Sequence, residues 1–335
     1  MPQAETSSAA VTSDRHRRGG VTIQICSPDD PDCEPPPPPP PSTTETVGWH
    51  FNLYSFGESI ANAIATYGQP NGSGVGVAII ANGINCVNQP DFIQPCAGGV
   101  DFSGAGDPFY DPVGGTTGMA SLLLAEANNS FGIRGIAPRV SLYAVKIANN
   151  CLSAAQAFDY INYNLPDVSI IITGHYRTAQ TLADQQAYEA QCAGERDAVL
   201  SATAAGLLIV SGAGITAASD DSVTYPARLP GVAAVGGFGC ASFSGGSICN
   251  SGPRYAPLSA RGRQVAFAAA FEHLPVLYPG SGTPQVLDGP WYAAATAGGI
   301  AALVHERYNL SRKGQCVLER VTVVGGCRGA GRAWR

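Results

Sequence analysis

Few residues in this 335-residue chain have both the type and the setting that chemistry requires. There are five histidines, His16, His50, His175, His273 and His305. His175 stands just beyond an apolar β-rich run, "SIIITG", where a side chain can be presented to a ligand. Thr173, Ser211, Thr216 and Tyr292 supply hydroxyls at comparable places, but none sits in the kind of strained turn that presents a nucleophile. A general base needs a group to orient it. The sequence shows no evident carboxylate partner for His175, so a structural histidine is the simpler reading. The segment "DGPWYAAATAGG" (288–299) poses a different question. Its small residues suit a closely packed helix, yet the bulkiest side chain available, Trp291, stands at the entrance.

Ten cysteines fall as Cys26/Cys33, Cys86/Cys96, Cys151/Cys192, Cys240/Cys249 and Cys316/Cys327. Oxidised pairs that close short loops contribute about 3 kcal/mol each. There is no CxxC and no Cys/His cluster, which speaks against a cysteine-bound metal. The pairing points to a secreted or extracytoplasmic protein; buried free thiols in a reducing compartment are the alternative. The start, "MPQAETSSAAVTSDRHRRGG", lacks the apolar core of a secretory signal. No apolar run has the length of a transmembrane span, and a formal net charge of −6 argues against a nucleic-acid partner.

The elements that must position these residues alternate. "VGVAII" (75–80), "SLYAVKI" (141–147), "DVSIIIT" (167–173), "GLLIVSG" (206–212) and "GVAAVGG" (231–237) are short β-rich runs. Helix-period segments lie between them, at 116–127, 154–164 and 195–205. Near-continuous apolar strands separated by helices predict an α/β fold with a mostly parallel sheet covered by helices on both faces. In such sheets ligands bind beyond the carboxyl ends of the strands. Residues 1–46 read as a disordered tail, in which seven consecutive prolines, Pro35–Pro41, form a stiff polyproline spacer. Residues 47–305 form the single domain. Residues 306–335 are a locally basic C-terminal tail, with "CVLERVTVVGGC" as a disulfide-closed hairpin.

Several segments in order resemble the subtilisin-like serine peptidases, the subtilases. "WHFNLY" and "GSGVGVAIIANGI" resemble the opening of the domain and its first catalytic strand. "NNSFGIRGIAPRVSLYAVKI" (128–147) is similar to the stretch behind the family's histidine helix, and "DDSVTYPARLPGVAAVGGF" (220–238) to its Tyr-Pro loop and following strand. "LSARGRQVAFAAA" (258–270) resembles the segment before the nucleophile helix. The resemblance runs from about Trp49 to His305 and implies the subtilisin-like doubly wound fold.

It also implies where catalysis would sit. In "IIANGI" the place of the catalytic aspartate is taken by Ala81. In "GGTT" the histidine's place is Gly114. In "GPWYA" (289–293) Trp291 stands at the serine's position, and in "GAGI" Ile215 stands at that of the oxyanion asparagine. Such a peptidase needs a nucleophile, a base, a carboxylate that orients the base, and an oxyanion donor. In subtilisin itself, losing the triad serine or histidine costs about 10⁶ in turnover, and losing the oxyanion asparagine about 10²–10³. The expectation is a pseudopeptidase with a binding or scaffold role; the alternative is an active serine-type endopeptidase using a surrogate site. The resemblance sets Thr173, Gly174 and His175 at the edge strand of the substrate groove, where an extended peptide or protein partner would add by β-augmentation. Asp91 and Asn129, with the carbonyls of Ala127, Phe131 and Ile133, match oxygen ligands that hold calcium in many subtilases; a helix cap and a turn residue are the alternative readings. Gly83, Gly135, Pro138, Gly174, Pro226 and Gly289 stand where the family's turns and close approaches fall.

Overall fold

The runs that are apolar at every position build the centre of the sheet. The computed structural model describes residues 45–53, 70–178, 181–215, 221–244, 248–250 and 252–310, all within one compact unit spanning residues 39–335. In chain order the elements are α1 (Trp49–Leu53), β1 (Gly76–Ala81), β2 (Gly98–Phe102), α2 (Gly115–Leu124), β3 (Ser141–Ile147), α3 (Cys151–Asn164) and β4 (Val168–Thr173). Then come α4 (Leu182–Gln191), α5 (Ala193–Ala204), β5 (Leu208–Gly212), β6 (Val232–Cys240), β7 (Phe243–Ser244) and β8 (Ile248–Cys249). The last are β9 (Pro253–Tyr255), β10 (Val265–Ala270), β11 (Leu274–Val276), β12 (Gln285–Leu287) and α6 (Pro290–Tyr308). The main sheet has the order β10-β6-β5-β4-β1-β3-β2, all parallel, with β9 added antiparallel to β6.

Because successive strand residues point to opposite faces, β4 feeds two cores. Ile170 and Ile172 pack with Ile79, Leu122, Leu123 and Ala294 beneath α2 and α6, while Ile171 packs with Ile80, Val145, Phe158, Ile161 and Val199 beneath α3 and α5. The fold is therefore the covered parallel sheet that the alternation predicts. Helix α2 stops at Leu124 because the backbone turns extended at Ala125. The N–H groups of Gly135, Ile136 and Ala137 then take the carbonyls of Ala125, Leu122 and Leu123. Residue 135 has no room for a side chain, since a Cβ there would lie 2.5 Å from two of those carbonyl oxygens. In α6, a Cβ on Gly298 would lie 2.4 Å from Ile172 of β4, so the small residues do permit close packing on the sheet.

Two elements carry no apolar period. Edge strand β2 contains two glycines and no fully buried residue. Helix α4 buries only Tyr188 and is held at its start by a reciprocal capping box between Thr181 and Asp184. Helix α6 also runs on through Tyr308, past the boundary expected at His305. Glu306 anchors that extra turn by accepting from the backbone N–H groups of Asn71 (2.7 Å) and Gly72 (2.6 Å). Three of the cysteine pairs are disulfides: Cys86–Cys96, Cys151–Cys192 and Cys240–Cys249. Cys26/Cys33, Cys316/Cys327, the polyproline run and the C-terminal hairpin lie outside the described residues, as does Thr216.

Candidate functional site

The site lies at the carboxyl ends of β1, β4 and β5, where the first turns of α2 and α6 converge. Strand β1 ends at Ala81, which is 5% exposed. Beside it, just beyond β4, is Gly174, where a Cβ would lie 2.8 Å from the Ala81 methyl and 2.9 Å from Met119 Sδ. Gly114 caps α2 with a left-handed φ of 80°. A Cβ on Gly114 would lie 2.9 Å from the Tyr278 ring and 3.2 Å from Pro279. Residue 114 is thus closed to a side chain both by its backbone and by its neighbours.

Asp111 organises this end of α2. One carboxylate oxygen accepts from the N–H groups of Gly114 (2.9 Å) and Val113 (3.2 Å), and the other from the N–H and hydroxyl of Thr117, both 2.8 Å away. Thr116 and Thr117 in turn accept from the backbone N–H groups of Asn82 and Asn85 in the loop after β1. Lys146 lies opposite Ala81 on β3. Its Nζ donates to the carbonyls of Tyr110 (2.8 Å) and Asp107 (3.1 Å) and lies 5.3 Å from the Tyr110 ring centre. Asp111 and Lys146 are therefore both engaged in holding the surrounding loops and the start of α2.

Trp291 follows the N-terminal proline of α6. Its indole stacks on Tyr176, with ring centres 6.3 Å apart and planes 17° apart, and meets Tyr292 edge-on at 5.8 Å. It also folds back over Gly289, where a Cβ would lie 2.6 Å from the ring. Tyr292 is 2% exposed, and burial pushes its hydroxyl up to about 12. Ile215 forms a bridge with Ser259 and packs against the core. Aromatic and aliphatic side chains thus line the ground between Ala81, Gly114, Trp291 and Ile215.

Strand β4 is paired on both sides, by β1 and β5, so it is not the edge strand expected, and its alternation continues past its end and separates the three expected groove residues. Gly174 faces this site, together with Tyr176. Thr173 and His175 face the other side: Thr173 donates to Ser211 (2.8 Å), and the His175 ring packs edge-on against Phe158 of α3. His175 has the carboxylate partner that the sequence did not reveal. Its Nε2 lies 2.9 Å from Glu195 Oε1, and Glu195 Oε2 accepts from Arg177 Nε at 3.2 Å. Glu195 is fully buried in the first turn of α5.

Asp91 and Asn129 are brought together. Asn129 Nδ2 donates to Asp91 Oδ1 (2.7 Å), and the Ile133 N–H donates to Oδ2 (2.9 Å). Asn129 Oδ1 accepts from the Phe131 N–H. Both carboxylate oxygens face N–H donors rather than a ring of oxygens, so the donor set as arranged does not fit calcium. Burial, acting against these hydrogen bonds, pushes the Asp91 carboxyl up to about 6.

Sequence reasoning did not find Tyr176, Tyr278, Asp111 or Glu195. Tyr176 was recoverable by extending the two-residue period of β4 beyond Gly174. Tyr278 and Glu195 come from distant segments and had no local signal.

The sequence pattern of the Subtilase family matches residues 72–321. The chain belongs to the subtilase family. It is 31% identical over 243 residues to the thermostable alkaline protease of Halalkalibacterium halodurans, covering 71% of this chain and 58% of that protein. It is 30% identical over 241 residues to subtilisin Savinase of Lederbergia lenta, covering 70% of this chain and 78% of that protein. Against the first of these the chain therefore spans little more than half the relative's length. The crystal structure of MycP1 from Mycobacterium smegmatis superposes with a TM-score of 0.62 at 21% identity, covering 88% of this chain and 85% of that one. That likeness concerns the fold.

Proposed function

We propose that this subtilase homologue is a non-catalytic pseudopeptidase that acts by binding or as a scaffold. The observation that carries the reading is the set of side chains at the four positions that correspond to the family's triad and oxyanion asparagine. Ala81 and Gly114 have no proton acceptor, Trp291 has no nucleophile, and Ile215 has no donor. The crowding by Tyr278 at Gly114 and the Tyr176–Trp291 stack support it, because a substrate carbonyl needs open space beside the nucleophile. The partner this reading takes is an extended peptide or protein segment. The three disulfides support an oxidising, extracytoplasmic setting. Among the described residues no helix is long and apolar enough to cross a membrane. The test is incubation of the pure protein with a peptide library read by mass spectrometry. No new termini are expected; sequence-dependent cleavage that scales with protein concentration would overturn the reading.

A second reading, an active hydrolase with a surrogate base, is favoured by one observation: Glu195 supplies the orienting carboxylate that His175 otherwise lacks. Under that reading, any hydrolysis detected must vanish in His175→Ala while the fold persists by circular dichroism.

A further inference from the structure

Three steps in the chain place an asparagine or aspartate directly before a glycine: Asn71–Gly72, Asn82–Gly83 and Asp288–Gly289. At such a step the glycine nitrogen can attack the preceding side-chain carbonyl carbon, since glycine has no Cβ to hinder ring closure. That nitrogen must first give up its proton, so an N–H held by an acceptor is withheld from the reaction. The fold holds two of the three. Glu306 accepts from the Gly72 N–H at 2.6 Å and from the Asn71 N–H at 2.7 Å, and Asn71 Oδ1 accepts from the Ser73 N–H. The Gly289 N–H donates to the Phe271 carbonyl at 2.9 Å, and Asp288 Oδ1 accepts from the His273 N–H at 2.7 Å. The third step differs. The Gly83 N–H has no acceptor among the described residues, although the N–H groups on either side of it are fixed, Asn82 by Thr116 Oγ1 at 3.2 Å and Ile84 by the Pro108 carbonyl at 3.0 Å. The Asn82 side chain is exposed. Residue 83 has a left-handed φ of 102°, and a Cβ there would lie 2.4 Å from the Tyr110 carbonyl oxygen. The fold thus requires glycine after Asn82 and leaves its nitrogen unheld.

We propose that Asn82 is a site of spontaneous deamidation, through a succinimide closed by the Gly83 nitrogen, and that Glu306 shields Asn71 from the same reaction. This goes beyond the pseudopeptidase reading and does not depend on it. Hydroxide from solvent takes the Gly83 proton, and the nitrogen forms a bond to Asn82 Cγ. The bond from Cγ to the side-chain nitrogen breaks; that nitrogen takes a proton from water, regenerating hydroxide, and leaves as ammonia. Water then opens the ring. Cleavage at Cγ gives aspartate, and cleavage at the Asn82 main-chain carbonyl gives isoaspartate, which adds one methylene to the main chain. Either product puts a carboxylate next to Ala81, at the carboxyl end of β1, and adds a negative charge to the exposed rim of the candidate site.

The experiment incubates the full folded chain in mildly alkaline buffer, digests it at mildly acidic pH, and follows the Asn71 and Asn82 peptides by mass spectrometry. Isoaspartate is read by methylation with an isoaspartyl methyltransferase. Asn82 is expected to convert at least about tenfold faster than Asn71, because opening at Asn71–Gly72 must first break two hydrogen bonds to a carboxylate. In urea the two rates are expected to converge, since both glycine nitrogens are then free. Glu306→Ala is expected to speed conversion at Asn71 and leave that at Asn82 unchanged; should this variant fail to fold, the comparison of folded and urea-unfolded chain carries the same test. Equal rates at the two positions in the folded protein, or an Asn82 that converts in urea but stays intact in the folded protein, would overturn the proposal. An Asn71 rate in folded Glu306→Ala no faster than in the unmodified protein would overturn its shielding half.

Discussion

An imidazole on residue 114 would have to share space with the Tyr278 ring, on a backbone that favours glycine. Gly114→His is therefore expected to lower stability by about 1–3 kcal/mol, measured by urea unfolding. The combined Ala81→Asp, Gly114→His, Trp291→Ser protein is expected to remain inactive on peptide substrates, because the obstacles are the neighbours as well as the missing groups. Recovered turnover would count against that account. Asp91 offers a test in pH. Its carboxyl is held above the usual range, up to about 6, by burial. A raised folded value favours the protonated form, so the contribution to stability is present below about pH 4 and is lost as pH rises through about 6. Asp91→Asn should flatten the thermal-melting profile across that window, and an unchanged profile would show that the carboxylate is not the cause. The identities of residues 81, 114, 215 and 291 were legible in the sequence because the matching segments fall in order around them. What fills the space between them was not, since Tyr278 and Tyr176 reach the site from separate loops.

At the scale of elements, α6 shows why its small residues are needed. Gly298→Ala would gain about 1 kcal/mol from helix propensity, but it drives a methyl to within 2.4 Å of Ile172, a fully buried side chain of β4. Overpacking is expected to dominate, for a net loss of about 1–2 kcal/mol, read from the midpoint of denaturant unfolding. The central strands and the helices that cover them were legible because burial on both faces leaves an apolar run with no polar interruption. Helix α4 and strand β2 were not, because capping and an edge position hold them without an apolar stripe. Helix α2 was expected to run to residue 127; its end at Leu124 depends on the N–H groups of residues 135–137, a tertiary pairing that no local pattern encodes.

For the molecule as a whole, Cys151–Cys192 joins the start of α3 to the α4–α5 corner across a sequence separation of 41 residues. Replacing both cysteines by serine is expected to cost about 2–4 kcal/mol, seen as a lower melting temperature under oxidising conditions; an unchanged melting temperature would contradict a stabilising bridge. The chain has the fold of a subtilase, while the ground where its strand ends meet is occupied by Tyr176, Tyr278, Trp291 and Tyr292. The most direct measurement of that central claim is treatment of the folded protein with a fluorophosphonate probe, followed by intact-mass analysis. The account predicts no covalent adduct beyond that of a heat-denatured control. Stoichiometric labelling of one hydroxyl in the folded protein would contradict it.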